Sequence, residues 1–470
     1  MSTAIEELVS NVLETKFESF SDEAVEDVKK RFIDVLGCAI GGANASGNSM
    51  LLDLVREWGG KEEATILVHG NRVPLHHAAM MNCIMCRSFD YEVIGPEPEG
   101  EATGRFTSHI CATTDPTALS VGEYKSSSGR EIISAAILGG DMAARIAAAE
   151  DFDDLQSFEF TGTVTAFGAT AVAGRLWGLN ESQLLNALGI VVDQLGGLWQ
   201  HIADGVNSFK LNTGLSAKDA IFSVELANKG FTGIRDPLLS PHGYFAQYCK
   251  SYQSKFLTLD LGKRFYTKGA HKFRPSCYIT HAPIECCLEI LSKHNINAED
   301  IVEVTVEVPS NRLLSDQNYL LAPYELDALQ GRALFNIPYA VANVLMRKST
   351  KLEHYTDDFT HDPKIVELTR KVKMVGRTAQ GSVKEDVVAG VDLEIKMKDG
   401  KQFSASIDAP RGTLWHPLTK EEIRDKFWAN VDFSKTVSRK NAEEALAMIE
   451  SLEELENIDK IVKLLVQVAS

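Results

Sequence analysis

Acid–base chemistry on an anion needs a group that titrates and a cation that holds the anion. Three segments of the chain supply such groups. "RSFDYEVIGPEPEGEATGRFTSHICATTDP" places Asp90, Glu92 and His109 around a long polar loop. Ionisable residues on a loop carried by a rigid scaffold suit a site; a solvated acidic loop is the other reading. "GVNSFKLNTGLSAKDA" sets Lys210 ahead of a turn and a helix. A lysine there can hold a carboxylate or phosphate together with free backbone N–H groups, or it is an ordinary surface lysine. In "GAHKFRPSCYITH", His271, Lys272, Arg274 and His281 form a basic cluster beside the bend fixed by Pro275. The cluster suits charge-assisted binding of carboxylates, or it compensates surface acids.

A fourth feature is a single residue. "SFEFTGTVTAFGATAVAG" is rich in small side chains and reads as a helix that packs closely on others, yet Glu159 stands between Phe158 and Phe160 at its entrance. Burial there pushes a carboxyl pKa up from about 4.3, towards the range where it does acid or base work near neutrality. An ion pair with a lysine is the alternative. No H-E-x-x-H, G-x-S-x-G or paired C-x-x-C occurs, and no nucleotide fingerprint follows a strand. The lone C-x-x-C of Cys83 and Cys86 lies in an apolar helix and reads as core. The chemistry expected is therefore acid–base work on an anionic small molecule, with no cofactor and no metal.

Helices must position most of these residues. In "SDEAVEDVKKRFIDVLGCAIGG", Val25, Val28, Phe32, Val35 and Leu36 recur at helical spacing. Ser21 or Asp22 caps the start, and Gly41-Gly42 end it. "EIISAAILGGDMAARIAAAE" is apolar nearly all round, as in a helix central to a bundle. Near residue 270 the period changes. Val302, Val304, Val306 and Val308 alternate with Glu303, Thr305 and Glu307, which predicts a half-buried strand. Val391 to Met397 and Phe403 to Ile407 alternate too, around the hairpin signal Asp399-Gly400. "HAPIECCLEILSKHN" and "DPKIVELTRKVKM" read as helices between the strands. "TKEEIRDKFW" opens with a capping box, Thr419 to Glu422. The expected fold is mainly α. A large helical domain (1–266) is interrupted by a smaller α+β domain (267–408), and helices 409–470 return to it.

With 44% apolar and 24% charged residues, the 470-residue chain has the composition of a soluble globular protein. Its formal charge of −17 argues against nucleic acid or an anionic membrane as partner. No secretory signal and no run of about 18 apolar residues is read, so no membrane span is expected. Eight scattered cysteines favour free thiols in a reducing cytoplasm.

Taken in order, these segments resemble the MmgE/PrpD family of 2-methylcitrate dehydratases, cis-aconitate decarboxylases and iminodisuccinate epimerases. "AAMMNCIMCRSFDYE" is similar to the family's A-A-x-x-N-G-x-x-x-H-x-x-D-Y-D-D segment. "FTGTVTAFGATAVAGRLWGL" follows its F-H-P-T-G-T-x-G-x-F-G-A-A-A-A-A-G-R-L-x-G-L helix. "FKLNTGLSAKDAIFSVELANKGFTG" is similar to its K-x-x-H-x-G run ending in G-F-T-G, and "HKFRPSCYITHAPIE" to K-x-Y-P-x-C-x-x-x-H. The resemblance implies a helical domain with an α+β lid, the site between them, and a homodimer. It also implies metal-free proton transfer next to a carboxylate of a small di- or tricarboxylate.

Carried over residue by residue, Asp90 matches the first aspartate of D-Y-D-D, while Glu92 and Val93 replace the next two. His109 matches a histidine reached through a longer loop, and a tyrosine of the decarboxylases falls near Leu313. Lys210 and Lys272 match the pocket lysines, with His271 and Arg274 beside them. His281 matches the last histidine of its motif, for packing or for function. Asn212 replaces a frequent histidine. Glu159 replaces the histidine of F-H-P, placed for proton transfer in the dehydratases and decarboxylases. The expected assignment has His109 or Glu159 moving the proton with Asp90 assisting, and the lysines, Arg274 and His271 binding carboxylates. Dehydration of a citrate-like acid is the default. Epimerisation or isomerisation of an amino- or imino-dicarboxylate, decarboxylation, and a non-catalytic carboxylate-binding protein are the alternatives.

Overall fold

The computed structural model describes residues 2–105, 107–150, 158–309, 320–377 and 390–467. Helices dominate, as expected, with one four-stranded sheet. The main helices of the first part are α1 (Ala4–Glu14), α2 (Asp22–Gly42), α3 (Asn48–Trp58), α4 (Leu75–Arg87), α5 (Ile110–Lys125), α6 (Gly129–Ala149), α7 (Val164–Trp177), α8 (Glu181–Val191) and α9 (Leu211–Asn228). Next come α10 (His281–Lys293), β1 (Ile301–Pro309), α11 (Ile337–Arg347), α12 (Pro363–Thr369), β2 (Val372–Arg377), β3 (Val391–Met397), β4 (Gln402–Ile407) and α13 (Lys420–Ser434). The position near Leu313 lies outside the described residues.

Ser21 caps α2, accepting the N–H of Ala24 at 3.2 Å. The pair Gly41-Gly42 ends this helix but not through left-handed backbone, since the capping residue Ala43 stays right-handed. The glycines are needed for contact. A Cβ on Gly41 would lie 2.1 Å from Asn430 Oδ1 in α13, and one on Gly42 would lie 1.9 Å from the Met85 carbonyl in α4. Close approach also joins α6 to α7. A Cβ on Gly139 would sit 2.6 Å from the Gly168 carbonyl, and one on Gly168 would sit 2.8 Å from the Gly139 carbonyl. The small residues behind Glu159 therefore do what their composition suggests. Helix α6 is long and apolar enough to cross a membrane, and its apolar stretch is buried in the bundle, with Arg130 and Glu131 of its first turn exposed.

The sheet runs in the order β2-β1-β3-β4, with β1 and β2 parallel and the other neighbours antiparallel. Its buried face, carrying Val304, Val306, Leu393 and Ile395, packs on helices that include α10. The hairpin turns at Asp399-Gly400, where Gly400 has φ +83°. Two details differ from the sequence reading. Val302 points outward at 47% exposure while Ile301 is buried, because the pairing register shifts between Ile301 and Glu303. And "DPKIVELTRKVKM" is not one helix: α12 stops at Thr369 and its last residues form β2. The Val304–Val372 register beside β1 overrides the helical pattern there. The capping box of α13 forms as expected, Glu422 N–H to Thr419 Oγ1 at 3.3 Å and Thr419 N–H to Glu422 Oε2 at 2.8 Å.

Gly42→Ala is expected to destabilise the chain by about 1–3 kcal/mol or more in urea unfolding. Gly196→Ala, where no atom lies within 4 Å of an added Cβ, is expected to be near neutral. Equal midpoints for the two variants would contradict the packing account.

Candidate active site

Helix α4 ends on Arg87, a guanidinium only 1% exposed. A buried charge needs partners, and two acids supply them. Arg87 pairs with Asp90, and its Nη1 lies 3.3 Å from Glu92 Oε1. Phe209 lies beneath the guanidinium, 5.4 Å from ring centre. Asp90 takes left-handed backbone, φ +48°, which aspartate tolerates better than most residues. There its carbonyl accepts a hydrogen bond from Lys272 Nζ at 2.5 Å, and the same ammonium lies 2.8 Å from its Oδ2. His109, the residue before α5, stands between the two acids. Its Nδ1 is 2.6 Å from Glu92 Oε1 and its Nε2 is 3.7 Å from Asp90 Oδ1.

Glu159 comes in from the entrance of α7. Its N–H donates to the Gly197 carbonyl at 3.1 Å, which fixes the backbone, and its side chain is buried. Asn212, in the first turn of α9, donates Nδ2–H to Glu159 Oε2 at 3.2 Å. No lysine pairs with Glu159 among the described residues. Lys210, just before α9, is buried and donates to the Ser46 carbonyl at 2.6 Å and to Ser88 Oγ at 3.4 Å. Ser88 follows Arg87 in the chain, so this lysine reaches the same turn.

Burial acts on all these groups, and their neighbours set the direction in which each one shifts. For Glu92 burial pushes the pKa up, but Arg87, His109 and Lys272 outweigh it and hold the carboxyl well below its usual range. Burial, reinforced by the charge of Arg87, brings His109 down to about 3 against the pull of Glu92. This imidazole is neutral at pH 7 and accepts a proton poorly. Glu159 goes the other way: burial raises it to about 7, resisted by Arg87 and by the Asn212 bond. Burial lowers Lys210 to about 7 and Lys272 to about 8. Of the two proton-transfer candidates, Glu159 is the one that titrates near neutrality.

The structure brings together Asp90, Glu92, His109 and Lys272. Lys210 joins them through Ser88, and Glu159 through the field of Arg87. His271 and Arg274 go elsewhere. His271 Nδ1 lies 2.8 Å from Asp34 Oδ2, and the same carboxylate oxygen takes Lys426 Nζ at 2.7 Å. Arg274 lies over the Phe273 ring, 4.4 Å from its centre, on the wall of a separate cleft. His281 is a packing residue, stacked on Tyr278 at 4.9 Å. In the 94–105 loop, Glu99 turns to Lys268 at 3.1 Å and Glu101 to Lys255, away from the cluster. Cys83 and Cys86 are buried in α4, and burial pushes both thiols up, as a core role requires.

Sequence reasoning missed Arg87, which ends an apolar helix and reads there as a simple C-terminal cation. It also missed His201, which burial and Arg87 bring down to about 4. The ligand atoms of Asp90, Glu92 and His109 lie within 4.8 Å of one another, close enough to share a metal ion. The donor set does not fit one. Both carboxylates already face Arg87 or Lys272, and a divalent cation would sit against a guanidinium and an ammonium.

Residues 6–257 match the MmgE/PrpD N-terminal domain and residues 275–454 the MmgE/PrpD C-terminal domain. The chain belongs to the MmgE/PrpD family. Over 463 residues it is 22% identical to cis-aconitate decarboxylase of Mus musculus, covering 96% of this chain and 91% of that protein. It is 21% identical to the Homo sapiens cis-aconitate decarboxylase over 451 residues, 95% of this chain and 91% of that one. The cis-aconitate decarboxylase-like protein oryM of Aspergillus oryzae is also 21% identical, over 90% of this chain and 89% of its own. Against the MmgE/PrpD motifs, Arg87 falls on the histidine of A-A-x-x-N-G-x-x-x-H. The departures from those motifs are partners of one another. Arg87 meets Glu92, and Glu159 meets Asn212. A decaying site would accumulate unrelated substitutions, whereas these fit together.

Glu159 holds its proton up to about pH 7 in the folded chain, against a usual 4.5. Between those values the folded state binds more protons, so this group's stabilisation is full below pH 4.5 and is lost as pH rises through 7. The whole effect is about 3 kcal/mol. Denaturant unfolding across this window should show the wild type losing more stability than Glu159→Gln; parallel curves would refute the buried, protonated acid. Added Mg²⁺ or Mn²⁺ should leave the melting temperature unchanged, and a saturable rise would refute the charge argument.

Proposed function

We propose that this chain is a cofactor-independent lyase acting on a small di- or tricarboxylate by proton transfer at a carbon next to a carboxylate. What supports the proposal is that Arg87, Lys210 and Lys272 are buried about the turn after α4, while one acid in the field of Arg87, Glu159, is raised by burial to about 7. Lys210 and Arg87 hold substrate carboxylates. Asp90 keeps Lys272 in place, and His109 serves as a neutral hydrogen-bonding group between Asp90 and Glu92 rather than as the main base. The 267–408 segment acts as a lid over the helices.

Within this class, decarboxylation is the first reading, in place of the dehydration expected from the sequence. Dehydration and epimerisation each need two groups, one to take a proton and one to give it. Decarboxylation needs one. The C–C bond to the departing carboxylate breaks and carbon dioxide leaves. The electron pair stays on the carbon chain, and protonated Glu159 delivers its proton to carbon. Of the two proton-transfer candidates, His109 is held down near 3 and Glu159 is matched to neutral pH. The relatives' names support the same choice. Dehydration, the default expected from the sequence, is the second reading, and it needs a base beside Glu159.

The working unit proposed is a cytoplasmic homodimer without nucleic-acid or membrane partners. The exposed Met50, Leu54 and Trp58 on α3 support the dimer, and the free cysteines support the compartment. Sedimentation of a single species at monomer mass would remove the dimer from the proposal.

The reaction is tested with cis-aconitate, 2-methylcitrate, citrate and iminodisuccinate, followed by proton NMR in D₂O and by carbon dioxide release. Carbon dioxide with deuterium placed on carbon is the expected result. Water loss indicates the dehydratase reading, and exchange without net change an isomerase. Glu159→Gln should lower kcat by about 100-fold or more, and Lys210→Met should raise KM. Because the proton donor must be protonated, kcat should fall as pH rises through about 7. If no substrate reacts while carboxylates still raise the melting temperature, the chain is a binding protein.

A further inference from the structure

Asp90 and Glu92 face the charged cluster, but Tyr91 between them lines a cleft of about 700 Å³ on the other side of the segment. Its volume is that of a small-molecule site. The walls come from Phe273–Pro275, from residues 350–353 and from α13. Tyr91, Phe273 and Phe433 give them aromatic faces between charged side chains. Lys426 lies over the Tyr91 ring, 4.2 Å from its centre, and is committed to Asp34, so it closes the floor between cleft and cluster.

Of the charged residues on these walls, Arg274 is the one with a buried donor left unmet. Its side chain rests on Phe273, its Nε is buried without a hydrogen-bond partner, and it makes no ion pair with a described residue. A buried donor left unmet costs free energy, and an anion in the cleft would meet it. Of the lining acids, Glu353 is 3.6 Å from Lys351 and Asp432 is 2.8 Å from Arg439, which lies outside the lining. Asp425 and Lys435, one charge of each sign, also line the cleft. A guanidinium with an unmet buried donor beside the faces of Tyr91, Phe273 and Phe433 suits one negative group on a flat apolar body.

We propose that this cleft is a second binding site, for a small monocarboxylate with a flat apolar body, with Arg274 as its anchor. It is separate from the buried cluster and does not depend on which reaction that cluster performs. A ligand there would press on Tyr91, whose carbonyl accepts from Lys426 at 2.6 Å, and so would touch the segment that carries Asp90 and Glu92.

The probe is 4-fluorobenzoate, titrated into the full chain and followed by fluorine NMR linewidth, with 4-fluorobenzyl alcohol as its uncharged counterpart. Saturable binding of the acid but not the alcohol is expected. Arg274→Gln should weaken it about tenfold or more. Ala429→Trp, which fills the cleft from α13 without touching the arginine, should weaken it too, and Glu159→Gln should leave it unchanged. No saturable binding by the wild type, equal binding of the alcohol, undiminished binding in Arg274→Gln or Ala429→Trp, or loss in Glu159→Gln would each overturn the proposal. The last outcome would move the probe into the buried cluster.

Discussion

One lysine ammonium, held twice by one aspartate, joins parts of the chain 182 residues apart. Lys272 meets both the carbonyl and the carboxylate of Asp90, and its chain neighbour His271 is held in the same way by Asp34. Two consecutive residues at the start of the 267–408 segment are thus pinned by buried acids of the helical part. Such pairs add little net stability, because desolvation offsets the attraction. They define position instead, since losing one partner leaves a bare charge in the core, at about 3–5 kcal/mol. The turn after α4 has its shape because it must meet this demand. Asp90 adopts left-handed backbone so that both of its oxygen sites face one cation.

The electrostatics of the cluster derive from that frame. Arg87 serves two acids and reaches further with its field. The same charge holds Glu92 down, adds to the lowering that burial imposes on His109 and His201, and restrains the rise that burial forces on Glu159. Environment, not residue type, therefore decides which group titrates near neutrality: burial lowers the histidine and raises the glutamate. Asn212 donates to the Glu159 carboxyl and resists that rise.

Much of this architecture was legible in the sequence. The helical periods, the cap at Ser21, the capping box at Thr419 and the hairpin at Asp399-Gly400 are local signals with local causes, and all appear. The exceptions are places where a neighbour decides. Val302 follows the alternation yet points outward, because pairing with β3 shifts by a residue. The chain after Thr369 becomes a strand because β1 offers it a parallel edge. In the cluster, residue types pointed to Asp90, His109, Lys272 and Glu159, and the rise that burial forces on Glu159 was foreseeable from its two phenylalanine neighbours. Its bond to Asn212 spans 53 positions, and no spacing rule encodes that. Arg87 was hidden because a basic residue at the end of an apolar helix is ordinary. Only its burial sets it apart.

The all-round apolar character of α6 bears on how the chain leaves the ribosome. In the finished molecule its apolar stretch is covered, with α7 as the main cover. During synthesis residues 129–149 emerge first, and α7 comes out only after residue 164. For that interval the nascent chain displays a stretch that insertion machinery and chaperones read as greasy. Helices α1, α2 and α5, which also pack on α6, are made by then, so it is the face that awaits α7 that stays open.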